Sequence, residues 1–331
     1  MKPLRILSIL DNFTFNNLKL EEDIKLITKK PFFYSKYNKL DFLLVESAWQ
    51  GNNEQWRHKI ASYPEHPKRN INNLRKLIFW CRDHNIPTIF WNKEDPYHYS
   101  QFIEAAQLFD YIFTTDSLSI PQYLKDTTTS KCHTLPFFIQ PKLHFYKDIP
   151  PIKRSLFMGT YQENMHDERT AWQNRIFTVA ADYGLDLYNR HNNKPPYQFP
   201  NFMGDVNYFP PLDYIKTVDM YRNYQHILNV NTITKSPTMF SRRLIEIMAC
   251  GRLAISNPSL SIETHFKDMC IQLDCVDHAK VLFEQLQSSY TAEQKDMIQY
   301  AHDYVHRNYT AKIWLKQILK TCNIDHPYLY N

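Results

Sequence analysis

Two adjacent arginines, Arg242 and Arg243, open the segment Arg242-Arg243-Leu244-Ile245-Glu246-Ile247-Met248-Ala249-Cys250-Gly251, where the apolar residues recur at helical spacing and Gly251 supplies the stop. Ser236-Pro237-Thr238-Met239-Phe240-Ser241 before it reads as a loop, and Leu253-Ala254-Ile255-Ser256 after it as a buried strand. Free backbone N–H groups and the helix dipole already favour an anion at such a helix start, so a guanidinium pair there can hold a diphosphate. Glu246 lies four residues after Arg242, shares its helix face, and can receive a pair of hydroxyls from a sugar on that phosphate. The plainer alternative is a capped helix whose Arg–Glu pair decorates the surface.

The elements that must position these residues follow a regular rhythm. Short apolar runs at Leu4–Leu10, Phe42–Glu46, Thr88–Trp91, Tyr111–Thr114 and Cys132–Leu135 read as strands alternating with helical patterns such as 71–81, which Asn85-Ile86-Pro87 ends. Ile149-Pro150-Pro151-Ile152-Lys153-Arg154 reads as a stiff extended connector. The rhythm then restarts with strand Leu156–Met158, helix Arg169–Tyr183, strand Leu185–Tyr188, a Pro- and Asn-rich loop from Asn192 to Pro211, strand Ile227–Val230, the arginine helix and strand Leu253–Ser256. Residues Ala292–Lys320 are helical by pattern. The fold class expected is α/β, with two Rossmann-like doubly wound domains facing a cleft at the carboxyl edges of their sheets. The boundaries expected are 1–150, 151–305, and a terminal helix in 306–331 packing back on the first domain.

Polar residues gather at the predicted strand ends: Asp11, then Glu46 and Trp49, then Asn92 to His98, then Thr115 and Asp116. In the second half the same places carry Gly159, Thr160 and Tyr161, then Arg190 and His191, then Asn229 and Asn231. The chain has only five glycines, and Gly51 and Gly159 follow strands, where backbone can approach a ligand or simply turn. There is no G-x-G-x-x-G and no G-x-x-x-x-G-K-[ST], which argues against a dinucleotide-dependent oxidoreductase and a P-loop NTPase.

Composition narrows the classes further. At 331 residues and 43% hydrophobic content the chain can bury two cores. A formal charge of +5 suits an anionic ligand but lacks the concentrated stripe of a nucleic-acid binder, and the aromatics lie along strands without regular basic interleaving. The six cysteines include no C-x-x-C pair, so neither a zinc cage nor a disulfide framework is indicated and a reducing, cytoplasmic setting is expected. Ile6–Leu10, closed by Asp11-Asn12, reads as a first strand rather than a signal peptide, and no run approaches the roughly 20 apolar residues of a spanning helix.

Several blocks in order resemble the CgeB-like (spore maturation protein B) glycosyltransferases of the two-Rossmann-domain GT-B architecture. They are Glu46-Ser47-Ala48-Trp49-Gln50-Gly51, Phe90-Trp91-Asn92-Lys93-Glu94-Asp95-Pro96, 109–116, Leu135-Pro136-Phe137, Phe157-Met158-Gly159-Thr160-Tyr161, Leu228-Asn229-Val230-Asn231 and 236–251. The resemblance implies a sugar nucleotide, with uridine as its base, held by the second domain, an acceptor held by the first, and no metal or other cofactor. Retaining enzymes of this architecture commonly carry two glutamates with seven residues between them; Glu246 fits the second, but the first position holds Thr238, which leaves the stereochemical outcome open.

Glycosyl transfer needs charge stabilisation on the departing diphosphate and help in deprotonating the acceptor. The chain lacks an Asp-x-Asp metal motif, so charge stabilisation falls to Arg242 and Arg243, with Arg190 and Lys235 behind them; Asn231, Thr238, Gly159 and Tyr161 complete the expected donor set. For the base, the turn Glu94-Asp95-Pro96-Tyr97-His98 is the densest source, with Glu46 and Asp11 as outside candidates. Pro96 suits a first helical turn, so Asp95 is equally a helix cap. The acceptor setting expected is a cell-surface glycan, a lipid-linked intermediate or a protein, with at most peripheral membrane association. The competing class is a sugar-nucleotide or glycan-binding module without turnover.

Overall fold

The computed structural model describes residues 2–30, 39–127, 131–163 and 165–331. The chain divides into two compact units, 1–140 together with 310–331, and 141–309. Among the described residues each unit is built on one six-stranded sheet, and every strand pair is parallel.

The first unit runs β1 (Leu4–Ile9), α1 (Asn12–Leu18), β2 (Ile24–Ile27), β3 (Phe42–Glu46), α2 (Asn72–Asp83), β4 (Thr88–Asn92), α3 (Tyr99–Ala106), β5 (Tyr111–Thr114), α4 (Ile120–Asp126) and β6 (Lys131–Thr134). The second runs β7 (Ile152–Gly159), α5 (Asp167–Ala181), β8 (Leu185–Asn189), β9 (Val206–Phe209), α6 (Tyr214–Asn223), β10 (Tyr224–Asn229), α7 (Arg242–Ala249), β11 (Leu253–Ser256), α8 (Leu260–His265), β12 (Ile271–Gln272), α9 (Val276–Gln285) and α10 (Ala292–Asn308). The chain then returns to the first unit as α11 (Ala311–Thr321).

Helices cover both faces of a parallel sheet, so its central strands are apolar throughout rather than alternating. Phe42 to Glu46, Thr88 to Asn92 and Tyr224 to Asn229 are accordingly buried at every position. The polar members of these runs sit at or near strand ends, where they reach the sheet edge. Helix α2 closes one face with Leu74, Leu77, Ile78 and Cys81, the stripe its periodicity predicts. Trp314 on α11 fills a different part of the first core: its ring centre lies 5.0 Å from that of Trp91 and 4.7 Å from that of Phe138, and its Nε1 donates to the Pro136 carbonyl at 3.0 Å.

The strand orders are β2-β1-β3-β4-β5-β6 and β12-β11-β10-β7-β8-β9. The second is the dinucleotide-fold order, in which the chain reverses direction across the sheet between β7 and β10; in the first the reversal lies between β1 and β3. At such a point successive helices leave to opposite faces and open a crevice at the carboxyl edge.

Four local readings are corrected. Strand β9 lies inside the stretch expected as a Pro- and Asn-rich loop, because Val206-Asn207-Tyr208-Phe209 pairs with β8 although polar residues flank it. Part of the expected connector, Ile152 to Arg154, is the start of β7, anchored where the Arg154 guanidinium bonds Asp186 and Asp205. Helix α5 starts two residues earlier than expected, with Asp167 and Glu168 in its first turn. The helical tail is two helices, since Thr310 turns extended and caps α11 by accepting from Ile313 N–H.

Candidate functional site

In the second unit the arginines converge on the carboxyl end of β7, at the reversal point. Arg243 Nη2 donates to the Met158 carbonyl at 2.6 Å, and its guanidinium lies over the Phe157 ring, 4.7 Å from its centre. Gly159 makes that approach possible: a Cβ there would meet Arg243 Nη2 at 2.8 Å and the Phe157 ring at 2.8 Å. A third arginine, which the sequence pattern does not single out, completes the cluster. Arg169, in the first turn of α5, donates through Nη2 to the Thr160 carbonyl at 2.5 Å and through Nη1 to Thr232 Oγ1 at 3.2 Å. Burial, then Arg243 and Arg190, push Arg169 down to about 10, and burial lowers Arg243 as well. Both Nε atoms are buried without a hydrogen-bond partner. Cations crowded this way are relieved by an anion.

Glu246, 0% exposed, sits one helical turn below. Its Oε1 accepts from Tyr214 OH at 2.6 Å and pairs with Arg242 Nε at 3.1 Å and His144 Nε2 at 3.5 Å. Burial opposes its charge, but Arg242, His144 and Tyr214 outweigh burial and hold the carboxyl down to about 2. Its Oε2 is buried with no hydrogen-bond partner. Arg242 therefore serves two neighbours at once, Glu246 and the Tyr214 ring at 4.9 Å.

The remaining expected donor residues divide. Arg190 is exposed, and its backbone N–H donates to the Gly159 carbonyl at 3.1 Å, which fixes the loop after β8 beside Arg169. Asn231 is buried and shapes the loop rather than its mouth: its Oδ1 accepts from Ser241 N–H at 2.7 Å, and its own N–H donates to Asn257 Oδ1 at 2.7 Å. The Thr238 N–H donates to Ser236 Oγ at 3.3 Å, so backbone bonds set the stretch where the first glutamate of the retaining pattern would stand. Lys235 is exposed. Tyr161 is a correction: its ring is buried in the core against Phe199 and its OH donates to Asn174, because the chain turns onto α5 after β7.

The first unit places charged groups at its own reversal point. Lys93 Nζ bridges Asp11 Oδ2 at 3.0 Å and Glu46 Oε1 at 3.2 Å, and lies 4.0 Å from the centre of the Phe13 ring. Glu46 also accepts from the Asp11 N–H and from Thr14 Oγ1, and is fully enclosed. Burial raises its carboxyl although Lys93 opposes the shift; for Lys93, burial is outweighed by Glu46 and Asp11, and the ammonium is raised. Asp11, at 20% side-chain exposure, is the member of this triad that reaches solvent, with Oδ1 accepting from Gly51 N–H at 3.2 Å.

Two expected bases are corrected. Asp95 neither caps α3, whose N-cap is His98, nor faces solvent: at 1% exposure it accepts from Asn92 Nδ2 at 2.8 Å, Thr114 Oγ1 at 2.7 Å and Tyr123 OH at 2.9 Å. Burial pushes its carboxyl up to about 7 although Thr114 and Tyr123 favour the ion. Glu46, at 0% exposure, is likewise closed to solvent. Glu94 and His98 stand together at the start of α3, Oε2 4.0 Å from Nε2, each partly exposed, with the His98 ring edge-on to Trp49 at 5.0 Å.

A model of the glycosyl transferase-like family matches residues 163–320. No curated protein sequence is significantly similar. Among solved structures, the chain is similar to a glycosyltransferase from Rickettsia africae, at 11% identity and TM-score 0.57, covering 97% of this chain and 98% of that one. It is similar to HepE from Anabaena, solved with UDP and glucose, at 10% identity and TM-score 0.54, covering 96% and 91%. It is also similar to sucrose-phosphate synthase from Thermosynechococcus elongatus, at 13% identity and TM-score 0.51, covering 88% and 75%. The fold is thus that of the GT-B glycosyltransferases, two Rossmann-like domains with parallel six-stranded sheets. No described helix is long and apolar enough to cross a membrane.

Proposed function

We propose that the chain is a glycosyltransferase that moves a sugar from a nucleoside diphosphate sugar, with uridine as its base, to a hydroxyl of a cell-surface glycan or related acceptor. The carrying observation is the trio Arg169, Arg190 and Arg243 around the carboxyl end of β7, at the reversal point of a dinucleotide-type sheet. A diphosphate there would receive guanidinium hydrogen bonds together with the N-termini of α5 and α7, and Glu246 Oε2 would accept from a ribose hydroxyl. UDP in the similar HepE structure and the family match over 163–320 support that choice of donor.

The leaving diphosphate gains charge as the glycosidic bond breaks, and fixed guanidinium groups stabilise it without reorganising. In this proposal they take the place of a divalent cation, and the reaction is independent of metal and of other cofactors. The acceptor hydroxyl must lose a proton, and we assign Asp11 as the carboxylate that receives it. Lys93 and Gly51 hold that side chain, and it alone of its buried cluster reaches solvent. The reaction is placed in the cytoplasm, where sugar nucleotides would meet a glycan, lipid-linked or protein acceptor.

Calorimetric titration with UDP, GDP, CDP and their sugars tests the donor assignment. Tight binding of UDP and a UDP-sugar is expected, and absence of binding by every nucleotide would overturn it. Binding without turnover on any envelope acceptor would favour the binding-module alternative.

A further inference from the structure

The second unit carries a pocket at the opposite edge of its sheet from the arginines. It lies where β7, β10 and β11 begin, is walled by residues 288–290 and one side of α10, and encloses about 700 Å³. Small-molecule sites span roughly 300–1,000 Å³. No part of the proposed donor site reaches it, so the pocket stands or falls independently of that site.

Its floor contains an unmet polar group. Gln225, the second residue of β10, is 2% exposed and lines the pocket. Its Nε2 donates to the Ser288 carbonyl at 3.2 Å, which fixes the amide, while its Oε1 is buried without a partner. A second lining residue, His302 on α10, likewise has a buried Nδ1 without a partner. Burial and then His306 lower its pKa, so at neutral pH it presents a neutral ring. An orphaned amide oxygen on a side chain that lines a space large enough for a ligand asks for a hydroxyl or N–H donor.

The lining carries more positive than negative charge. Lys153 and Lys295, both exposed, belong to it, and the Arg252 guanidinium adds its charge while anchored to the carbonyls of Arg222 and Lys147. Asp148 is the one lining carboxylate among the described residues, and it accepts from Tyr146 OH at 3.2 Å. Tyr146 and Pro150 add apolar surface to the lining.

We infer that this pocket binds a small phosphorylated, hydroxyl-bearing molecule, its phosphate between Lys153 and Lys295 and a hydroxyl donating to Gln225 Oε1. The class follows from the combination: lysines at the mouth select an anion, and the buried acceptor selects a donor at the far end. An apolar acid would leave Gln225 unpaired.

The test is isothermal titration of the full chain with inorganic phosphate, glucose 6-phosphate and AMP as probes, each up to about 10 mM. At least one hydroxyl-bearing probe is expected to bind more tightly than inorganic phosphate. The Lys153→Glu/Lys295→Glu variant, which changes exposed side chains only, should melt like the wild type and lose affinity by about tenfold or more. A Lys267→Glu/Lys280→Glu variant carries the same change of net charge at exposed positions elsewhere and should bind as the wild type does. The proposal is overturned if no probe binds, if inorganic phosphate binds as well as the best probe, if the pocket variant binds unchanged, or if both variants lose affinity equally.

Discussion

Arg169 and Arg243 come from different helices yet close on the same strand end, Arg243 on the Met158 carbonyl at 2.6 Å and Arg169 on the Thr160 carbonyl at 2.5 Å, with Gly159 between. Arg169 also bonds Thr232, and Arg243 also bonds Tyr221, but a guanidinium has five N–H donors, and the planar fork of each keeps others for phosphate oxygens. Replacing either by Ala should weaken UDP binding by about 1.5–3 kcal/mol, the range for charged hydrogen bonds. Titration calorimetry reads the loss, and unchanged affinity in both variants would remove the cluster from the donor site.

Gly159→Ala tests the same geometry without touching a charge. The new methyl group would overlap Arg243 Nη2 and the Phe157 ring, and overpacking of this kind costs about 1–3 kcal/mol. The expected outcome is a lower UDP affinity together with a lower midpoint of urea unfolding.

Asp11→Asn should keep the fold and UDP affinity while lowering turnover by about 10²–10⁴-fold. Activity is read on any acceptor that a screen of envelope glycans yields. If turnover survives and His98→Ala abolishes it, the proton passes to the Glu94–His98 pair instead.

Asp95→Asn separates structure from chemistry. With its carboxyl raised to about 7 in the fold against 3.8 for the free side chain, the native state holds this proton more tightly than the unfolded chain does. Stability from this group is therefore greatest below about pH 4, falls as pH rises, and is fully lost above about pH 7, a change on the order of 4 kcal/mol. The Asn variant should lack that component of the pH dependence of unfolding, and its turnover should stay within about tenfold of the wild type because the side chain is sealed.

Chelation offers a further check. Activity that persists in EDTA is the expected result; loss of activity restored by Mg²⁺ or Mn²⁺ would require a cation in addition to the arginines.

Sequence alone located most central strands, because two-sided burial writes itself as continuous apolar runs such as Phe42–Val45 and Leu253–Ile255. It missed Ile24–Ile27 and Val206–Phe209, edge strands whose exposed positions carry Lys25 and Asn207. At the site, the helix start of Arg242 and Arg243 was legible from local pattern. Arg169 was not, since it stands alone after Asp167-Glu168 and its role comes from carbonyls at the end of β7. The sealing of Asp95 was also invisible, because Thr114 and Tyr123 reach it from 19 and 28 residues away.

The return of α11 to the first unit has a consequence for synthesis. Trp314 packs against Trp91 and Phe138, yet the ribosome must deliver all of Pro141–Tyr309 before it appears. Throughout that interval the nascent first unit lacks the side chain that covers those aromatic rings, while the second unit is already free to fold. The later unit can therefore finish first, and the earlier one presents an apolar face of the kind that chaperones retain.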